Sequence, residues 1–457
     1  MGFCEGCFEK QRKIDALVEE NQSLKERLRY LKRKEQQGYF GSSTPSSKVP
    51  LKANALEQNQ KKRGGAKPGH VGNGRAGFDE SEADHVVRVP CQVGDRCPQC
   101  GQPLVDKGLQ SHSVIDIHPV KTQRVLYREP KKYCGRCRRS FRSRAPGVLP
   151  KSLYGNQLIA TAAAMHYLHG VPLGRICQQI DIALGPLIEI FHRSAKIFSA
   201  VPNRIIEQYR TSHVKHADET GWRNDGQSGY AWLFATEKIS IFLFRKSRSA
   251  KTVHEVLGEE PLPGTLVVDR YSAYNKAPCA IQYCYAHLLR YVEDLRKEFP
   301  DHVEIDSFVN TLAPLLATAM SLRTLPIGDA QYYERAMEIK SQMIDVVHCP
   351  AQHLAIRRTQ EIFHENADRL YHWVTDRKIP AENNLAERDL RPTVIARKVS
   401  FGSQSDAGAH TRGVLMTVLH TLKKQTADPC AALKTGLDRL AQNPKLDPFE
   451  LLFPPDT

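Results

Sequence analysis

Acidic residues at two places in the chain stand where carboxylates could carry out phosphoryl chemistry. Asp218 follows the β-like run HVKHA, in which Val214 and His216 alternate, and Asp269 closes the apolar run GTLVV. Two carboxylates at neighbouring strand ends repel each other unless a cation sits between them, so such a pair is a natural site for Mg2+ (or Mn2+). Sites of this kind often hold two ions, one serving the attacking oxygen and one the leaving oxygen. A third acid is needed, and PAENNLAERDLRP offers it. Asn383 and Asn384 are cap candidates there, and Glu387 falls in the first helical turn, where a helix N-terminus favours an anion. Glu382 is the second choice. Arg388, Arg391, Arg397 and Lys398 follow, spaced to meet phosphates. Any one of these acids alone would read as a surface or ion-pair residue; strand placement, spacing and the adjacent basic residues together favour the catalytic reading.

A second constellation is made of thiols. Three Cys-x-x-Cys pairs occur: Cys4/Cys7, Cys97/Cys100 and Cys134/Cys137. Between Cys100 and Cys134 lie 33 residues that alternate like strands. Two such knuckles joined by a β segment suit a zinc ribbon, in which Cys97, Cys100, Cys134 and Cys137 satisfy a tetrahedral, structural Zn2+. A redox pair is the alternative, and it lacks the βαβ context that reading needs. Cys4/Cys7 is a lone pair that needs a second pair to close a site; it either meets the same pair of a second copy or stays an unpaired knuckle. Cys91, Cys177, Cys279, Cys284, Cys349 and Cys430 are scattered and read as small buried hydrophobes.

The elements that must position the acids run strand, strand, strand, helix, strand from residue 206: HVKHAD, GYAWLFAT, ISIFLFRK, SAKTVHEVLG and GTLVVD. With acids on the first and fourth strands, this is the order of a ribonuclease-H-like core. Residues 206–299 form its first part and 381–457 its second part with C-terminal helices. Residues 300–380 read as a helical insertion. Ahead of the core, residues 151–205 carry helical patterns with a turn near Ala183–Gly185 and a second helix from about Pro186. That pair suits a helix-turn-helix-like DNA-binding domain, although helix pairs are common in other settings. The whole is expected to be a multidomain α/β protein.

At the N-terminus, residues 8–36 show a heptad seam with Ile14, Asn21 and Leu28 at a and Leu17, Leu24 and Leu31 at d. A single asparagine at a fixes register and favours a parallel dimer, so residues 1–36 are expected to form a coiled-coil dimerisation helix. Residues 37–86 lose this periodicity. From Lys48 to Arg75 seven basic residues, Lys61, Lys62 and Arg63 among them, face one acid, Glu57. That is the composition of a basic flexible linker able to track phosphates. Within the expected 87–150 ribbon, eleven basic residues against one acid occur from Lys121 to Lys151, with Arg138 and Arg139 beside the second knuckle. The 457 residues carry a net charge of +15, with 41% hydrophobic and 25% charged residues. That composition excludes wholesale disorder and points towards nucleic acid. No run approaches the ~18 apolar residues of a membrane span, and MGFCEGCFEKQRK has no apolar signal core, so a cytoplasmic location is expected.

ADETGW, VVDRYSAYN, CYAHLLR and NNLAERDLRP together resemble the DDE transposases of bacterial insertion-sequence family sixty-six. The likeness extends to GGAKPGHVG at Gly64–Gly72, to the PLxR segment at Pro172–Arg175, and to Phe401–Ser403 and Asp428–Pro429. Where the family often has a single glutamine between its glycine pair and proline, Ala66 and Lys67 stand here. The resemblance implies that Asp218, Asp269 and Glu387 are the catalytic triad and that His287 and Arg290 lie near it. It implies metal-dependent cleavage at the element ends and transfer of the freed 3′-hydroxyl to target DNA. The implied partners are terminal inverted repeats, target DNA, further copies of the chain in a dimer or higher oligomer, and accessory transposition proteins, in a bacterial, nucleoid-associated setting. Two competing readings are a non-catalytic zinc-ribbon DNA-binding regulator and a ribonuclease-H-like nuclease that cuts without joining.

Overall fold

A computed structural model describes residues 145–454 without a break and, ahead of them, parts of 13–28, 80–86, 96–103 and 122–142. Cys4, Cys7, Lys61, Lys62, Arg63, Cys97 and Cys137 lie outside the described residues. The described positions between 13 and 28 are helical and exposed, Leu17, Asn21, Leu24 and Leu28 among them. Ile14 and Leu31 of the expected seam are not among them.

The chain divides into two compact units, Leu51–Lys121 and Met1–Pro50 with Thr122–Thr457. The division at Lys121 falls inside the 87–150 span. In the first unit, Arg96 and Pro103 form an antiparallel bridge, and Arg96 donates to the Gly101 carbonyl at 3.2 Å. Gly101 has φ +75°, a left-handed turn conformation that glycine adopts without penalty. In the second unit, β1 (Lys131–Cys134) and β2 (Arg139–Arg142) pair as a hairpin in which Cys134 faces Arg139.

The large sheet contains β3 (Val214–Asn224), β4 (Gln227–Ala235), β5 (Ser240–Arg245), β6 (Thr265–Val268), β7 (Ala280–Tyr283) and β8 (Gly402–Ser403). Its order is β5-β4-β3-β6-β7, with β8 added beside the far end of β3. β3, β4 and β5 form an antiparallel meander, while β6 and β7 run parallel to β3. The four expected strands are present in the expected order. The helix Ala250–Leu257 crosses from β5 to β6. β3 is buried from Lys215 to Thr220 and every residue of β6 is buried, as befits central strands covered on both faces. Gly264 launches β6 at φ +77°; a Cβ there would lie 2.2 Å from the His213 carbonyl, so only glycine allows β6 to start against β3.

After β7 come the helices Tyr285–Glu298, Val303–Leu322, Asp329–His348, Leu354–Glu365 and His372–Thr375, the last four within the 300–380 span read as helical. Val303–Leu322 is long and apolar enough to pass for a membrane span, but Ile305, Val309, Leu312, Leu316 and Ala319 form one buried stripe. Asp306, Ser307, Asn310 and Thr311 lie off that stripe, the amphipathic pattern of a bundle helix.

The early helices are Asn156–Ala163, continued by a π-helical turn at Ala164–Leu168, then Leu173–Ile180, Leu184–Ile197 and Val201–Thr211. The turn between the second and third falls at Asp181–Ala183, slightly earlier than the sequence suggested, because Asp181 takes the left-handed conformation at φ +49°. These helices are not a module on their own. They share a core with the helices Asp406–Gln425, Pro429–Gln442 and Pro448–Leu452. Asn156 donates to Asp438 at 2.8 Å, and buried Arg412 reaches His166 Nε2 at 2.7 Å while lying over the Tyr167 and Trp222 rings. The Asp406–Gln425 helix runs along the edge strand β5. Thr417 Oγ1 accepts from the Phe242 N–H at 2.9 Å, and the Thr421 hydroxyl both accepts from and donates to the Ser240 backbone.

Candidate active site

The parallel register of β3 and β6 is Val214 with Thr265, Lys215 with Leu266 and His216 with Val267. Carried two residues further, it sets Asp218 level with Asp269, on strands about 4.8 Å apart. Asp218 is 2% exposed and Asp269 7%. Asp218 Oδ1 accepts from the Glu219 N–H at 2.8 Å, and Asp269 Oδ1 accepts from the Tyr271 N–H at 3.0 Å, closing an Asx-type turn at the strand end. Burial pushes the Asp269 carboxyl above the usual carboxylate range, against the pull of the Tyr271 N–H and of Arg248 and Arg270.

Glu387 comes from the helix Asn384–Ser400, whose start is moored to these strand ends. Asn383 Nδ2 donates to the Ala217 carbonyl at 2.8 Å, and Asn383 Oδ1 lies 2.8 Å from His216 Nδ1. The Asn383 N–H donates to Cys284 Sγ at 3.2 Å, and the Cys284 N–H donates to the Val268 carbonyl at 2.8 Å. One asparagine thus links the residue before Asp218 to the loop that follows β7, and Cys284 links that loop to the residue before Asp269. Asn383 is the N-cap, as the sequence suggested, but its side chain makes no cap bond because it is spent on β3. Glu387 is half-buried one turn on, and its carboxylate lies with Cys284 Sγ and a His287 ring nitrogen in a group whose ligand atoms are all within 4.8 Å of one another. Glu382 is also half-buried; its Oε2 is sealed without a hydrogen-bond partner, and burial raises its pKa. His287 and Arg290 share the helix Tyr285–Glu298. Burial holds His287 at about 4, hence neutral at pH 7, the neighbouring Glu387 carboxylate opposing that shift. Neither His287 nitrogen has a hydrogen-bond partner.

Sequence reasoning missed a second buried layer. Glu219, the next residue after Asp218, is fully buried; its Oε1 accepts from Arg248 Nε at 2.8 Å and its Oε2 from the Tyr274 hydroxyl. The Arg248 guanidinium lies 3.6 Å over the Tyr271 ring, and the Tyr271 hydroxyl donates to the Arg248 carbonyl. Burial and the nearby Asp269 both raise the Glu219 pKa, against the pull of Arg248. Tyr274 feels Glu219, Asp269 and Asp218 together, so these acids crowd around one phenol. The signal was present in ADET and DRYSAY, where an acid abuts Asp218 and two tyrosines follow Asp269; the partner Arg248 is remote in sequence and carried none.

The expected phosphate-contacting residues fall into three groups. Arg388, Arg391 and Lys398 are exposed on the Asn384–Ser400 helix. Arg397 is half-buried, and its guanidinium donates to Thr220 Oγ1 at 2.8 Å and the Gly221 carbonyl at 2.6 Å, bracing the stretch of β3 that β6 leaves unpaired. Arg138 is exposed at φ +50° in the turn between β1 and β2, and Arg139 begins β2. Cys100 is exposed and Cys134 half-buried.

A family model described as the Transposase IS66 family matches residues 151–411, which takes in both strands that carry the buried acids and the helix that carries Glu387. The uncharacterized protein y4qI of Sinorhizobium fredii (strain NBRC 101917 / NGR234) is 25% identical over 431 residues, covering 85% of this chain and 78% of that protein. A second uncharacterized protein of the same strain, y4hP, is 21% identical over 434 residues, covering 82% of this chain and 75% of its own length. The family match spans more than half of the chain and agrees with the resemblance read from ADETGW, VVDRYSAYN and NNLAERDLRP: the chain belongs to the IS66 family of transposases.

Proposed function

We propose that this chain is a DDE-type DNA transposase whose core is ribonuclease-H-like and whose catalytic acids are Asp218, Asp269 and Glu387. The observation that carries the reading is the register that sets Asp218, within β3, level with Asp269, at the end of the parallel strand β6, both buried. Two carboxylates buried side by side are costly unless a cation lies between them. The donor set, carboxylate oxygens from two strands and one helix, suits Mg2+ or Mn2+. Such ions, when bound, supply charge neutralisation at the phosphate and lower the pKa of the attacking water.

The protein's own part is positioning. The Asx-type turn at Tyr271 fixes the Asp269 carboxylate, and the Asn383 amide holds the helix bearing Glu387 against β3. The Glu219–Arg248–Tyr274 network fills the space behind the acids and fixes the loop after Asp269. In the reaction, water attacks the phosphate at the element end and the 3′-oxygen leaves as a hydroxyl; that hydroxyl then attacks a phosphate of the target strand and displaces the target's own 3′-oxygen. Arg388 follows Glu387 directly, Arg391 and Lys398 lie about one and three turns further along the helix, and all three are exposed to meet the DNA backbone. Zinc held by Cys97, Cys100, Cys134 and Cys137, the basic 37–86 segment and self-association through the N-terminal seam complete the proposal, together with recognition of the terminal inverted repeats. The four cysteines supply the thiolate set that structural zinc takes.

The test is Asp269→Asn in the full chain, with a duplex bearing the terminal inverted repeat. End binding stays within twofold of wild type while strand cleavage and joining vanish. Cleavage at the wild-type rate would refute the triad. Cleavage without joining of precut ends in the wild-type protein would favour a nuclease.

A further inference from the structure

Cys284 reads in the sequence as one of several isolated cysteines, and the structure gives it company. It occupies the N-cap of the helix Tyr285–Glu298. Its sulfur accepts the Asn383 N–H at 3.2 Å and also the backbone N–H groups of Ala286 and His287. Three donors thus converge on that sulfur at a helix N-terminus, while burial and the neighbouring Glu387 carboxylate raise the thiol's pKa, so a cation must displace its proton. His287 lies one turn further along the same helix. Both of its ring nitrogens are sealed from solvent with no hydrogen-bond partner, although a neutral imidazole has one donor and one acceptor to satisfy. Buried polar atoms in that state call for a missing ligand. The third member, Glu387, arrives from a different helix, so the cluster is a product of the tertiary fold and not of a local motif.

We infer that Cys284, His287 and Glu387 bind one thiophilic divalent cation of the zinc class. Sulfur, imidazole nitrogen and carboxylate oxygen together form a borderline-soft set that suits Zn2+ and is foreign to Mg2+. Their ligand atoms lie within 4.8 Å of one another. Zinc bonds of about 2.0–2.3 Å place tetrahedral ligands roughly 3.5 Å apart, a contraction that small side-chain rotations supply. Three protein ligands leave a fourth position for water or another ligand. The ion would tie the first turn of the Tyr285–Glu298 helix to that of the Asn384–Ser400 helix, near Ala217 of β3 and the end of β6. A carboxylate has two oxygens, so Glu387 can serve this ion and the proposed acid cluster alike, and the inference does not depend on the strand-transfer reading.

The test is zinc content. Full-length protein is stripped with a chelator, reloaded with Zn2+ alone, desalted and analysed by inductively coupled plasma mass spectrometry. Cys284→Ser and His287→Gln each hold one equivalent fewer than wild type, whereas Asp269→Asn holds the wild-type amount. Any zinc on the N-terminal cysteines is common to all four proteins and cancels. Unchanged zinc content in Cys284→Ser and His287→Gln would overturn the inference. A wild-type measurement covers the case in which those variants do not fold. Crystals soaked in Zn2+ give an anomalous-difference peak about 2.3 Å from Cys284 Sγ, and the lack of a peak there would overturn the inference as well. Because Asp269→Asn keeps its zinc whether or not it loses cleavage, failure of the zinc site and failure of the transposase reading give different results.

Discussion

Asn383→Ala separates positioning from stability at the proposed catalytic centre. The side chain makes two buried hydrogen bonds, to the Ala217 carbonyl and to His216, each 2.8 Å long. Truncation leaves the Ala217 carbonyl and the His216 imidazole without these partners in a site closed to water. A buried polar group left unpaired costs about 1–3 kcal/mol, so the pair should cost roughly 3 kcal/mol in all. Urea denaturation should show that loss as a lower midpoint with unchanged slope. The fold should survive it, since Cys284 and the Asn384–Ser400 helix keep their backbone contacts. Cleavage should suffer more than stability. Without its mooring the first turn of that helix can drift, and a displacement of about 1 Å at a reacting centre costs on the order of a hundredfold. The assay is single-turnover cleavage of an end duplex at saturating Mg2+, well below the melting temperature, beside an end-binding titration. Binding should hold, because Arg388 and Arg391 remain exposed on the same helix. A folded Asn383→Ala protein that cleaves at the wild-type rate would refute the claim that this amide sets the third acid.

Arg248→Met should destabilise the protein by about 3–5 kcal/mol, because it strands the buried Glu219 carboxylate without its cation. Adding Glu219→Gln should restore much of the loss in urea melts, and a single variant as stable as wild type would contradict this. Acid should weaken the fold between pH 6.5 and 4. Burial holds His166, His216 and His420 at about 4 rather than 6.5, so in that window the unfolded chain binds protons that the folded chain refuses. Their stabilising contribution is therefore complete above pH 6.5 and falls as pH drops towards 4, by up to roughly 3 kcal/mol each. Asp269 and Glu219, both raised chiefly by burial, act in the opposite sense and trim the slope. A melting temperature that stays flat or rises on acidification from pH 6.5 to 4.5 would contradict the assignment.

The sheet was largely legible in the sequence because GYAWLFA, ISIFLF and TLVV are apolar runs of strand length. GTLVVD also announces the acid that leaves its strand, whereas β3 runs on six residues past Asp218 to Asn224. The insertion was legible because its helices keep the 3.6-residue period of a buried stripe, as in Val303–Leu322. Local patterning could not reveal which distant segments meet. The sharing of one core by Asn156–Thr211 and the C-terminal helices rests on pairs such as Asn156 with Asp438 and His166 with Arg412, far apart in the chain. Arg397 looked like a phosphate ligand by charge and spacing, yet it braces β3, and only the register shows that Thr220 and Gly221, paired with β4 on one side, lack β6 on the other. β7 and β8 are four and two residues long, too short for an alternating pattern to register. Cys284 looked solitary because its partners are a histidine one turn on and a glutamate from another helix.

The threonine hydroxyls laid along β5 govern how this molecule can assemble. An outermost strand with bare amides is an open template on which another polypeptide can stack its own backbone. Thr417 and Thr421 occupy the Phe242 and Ser240 amides, and their helix stands in the space a visiting strand would need. Copies of the chain that come together are therefore denied growth by sheet extension along that border and must meet through other surfaces. High local concentration thus does not turn the β5 border into a nucleus for fibrous aggregation.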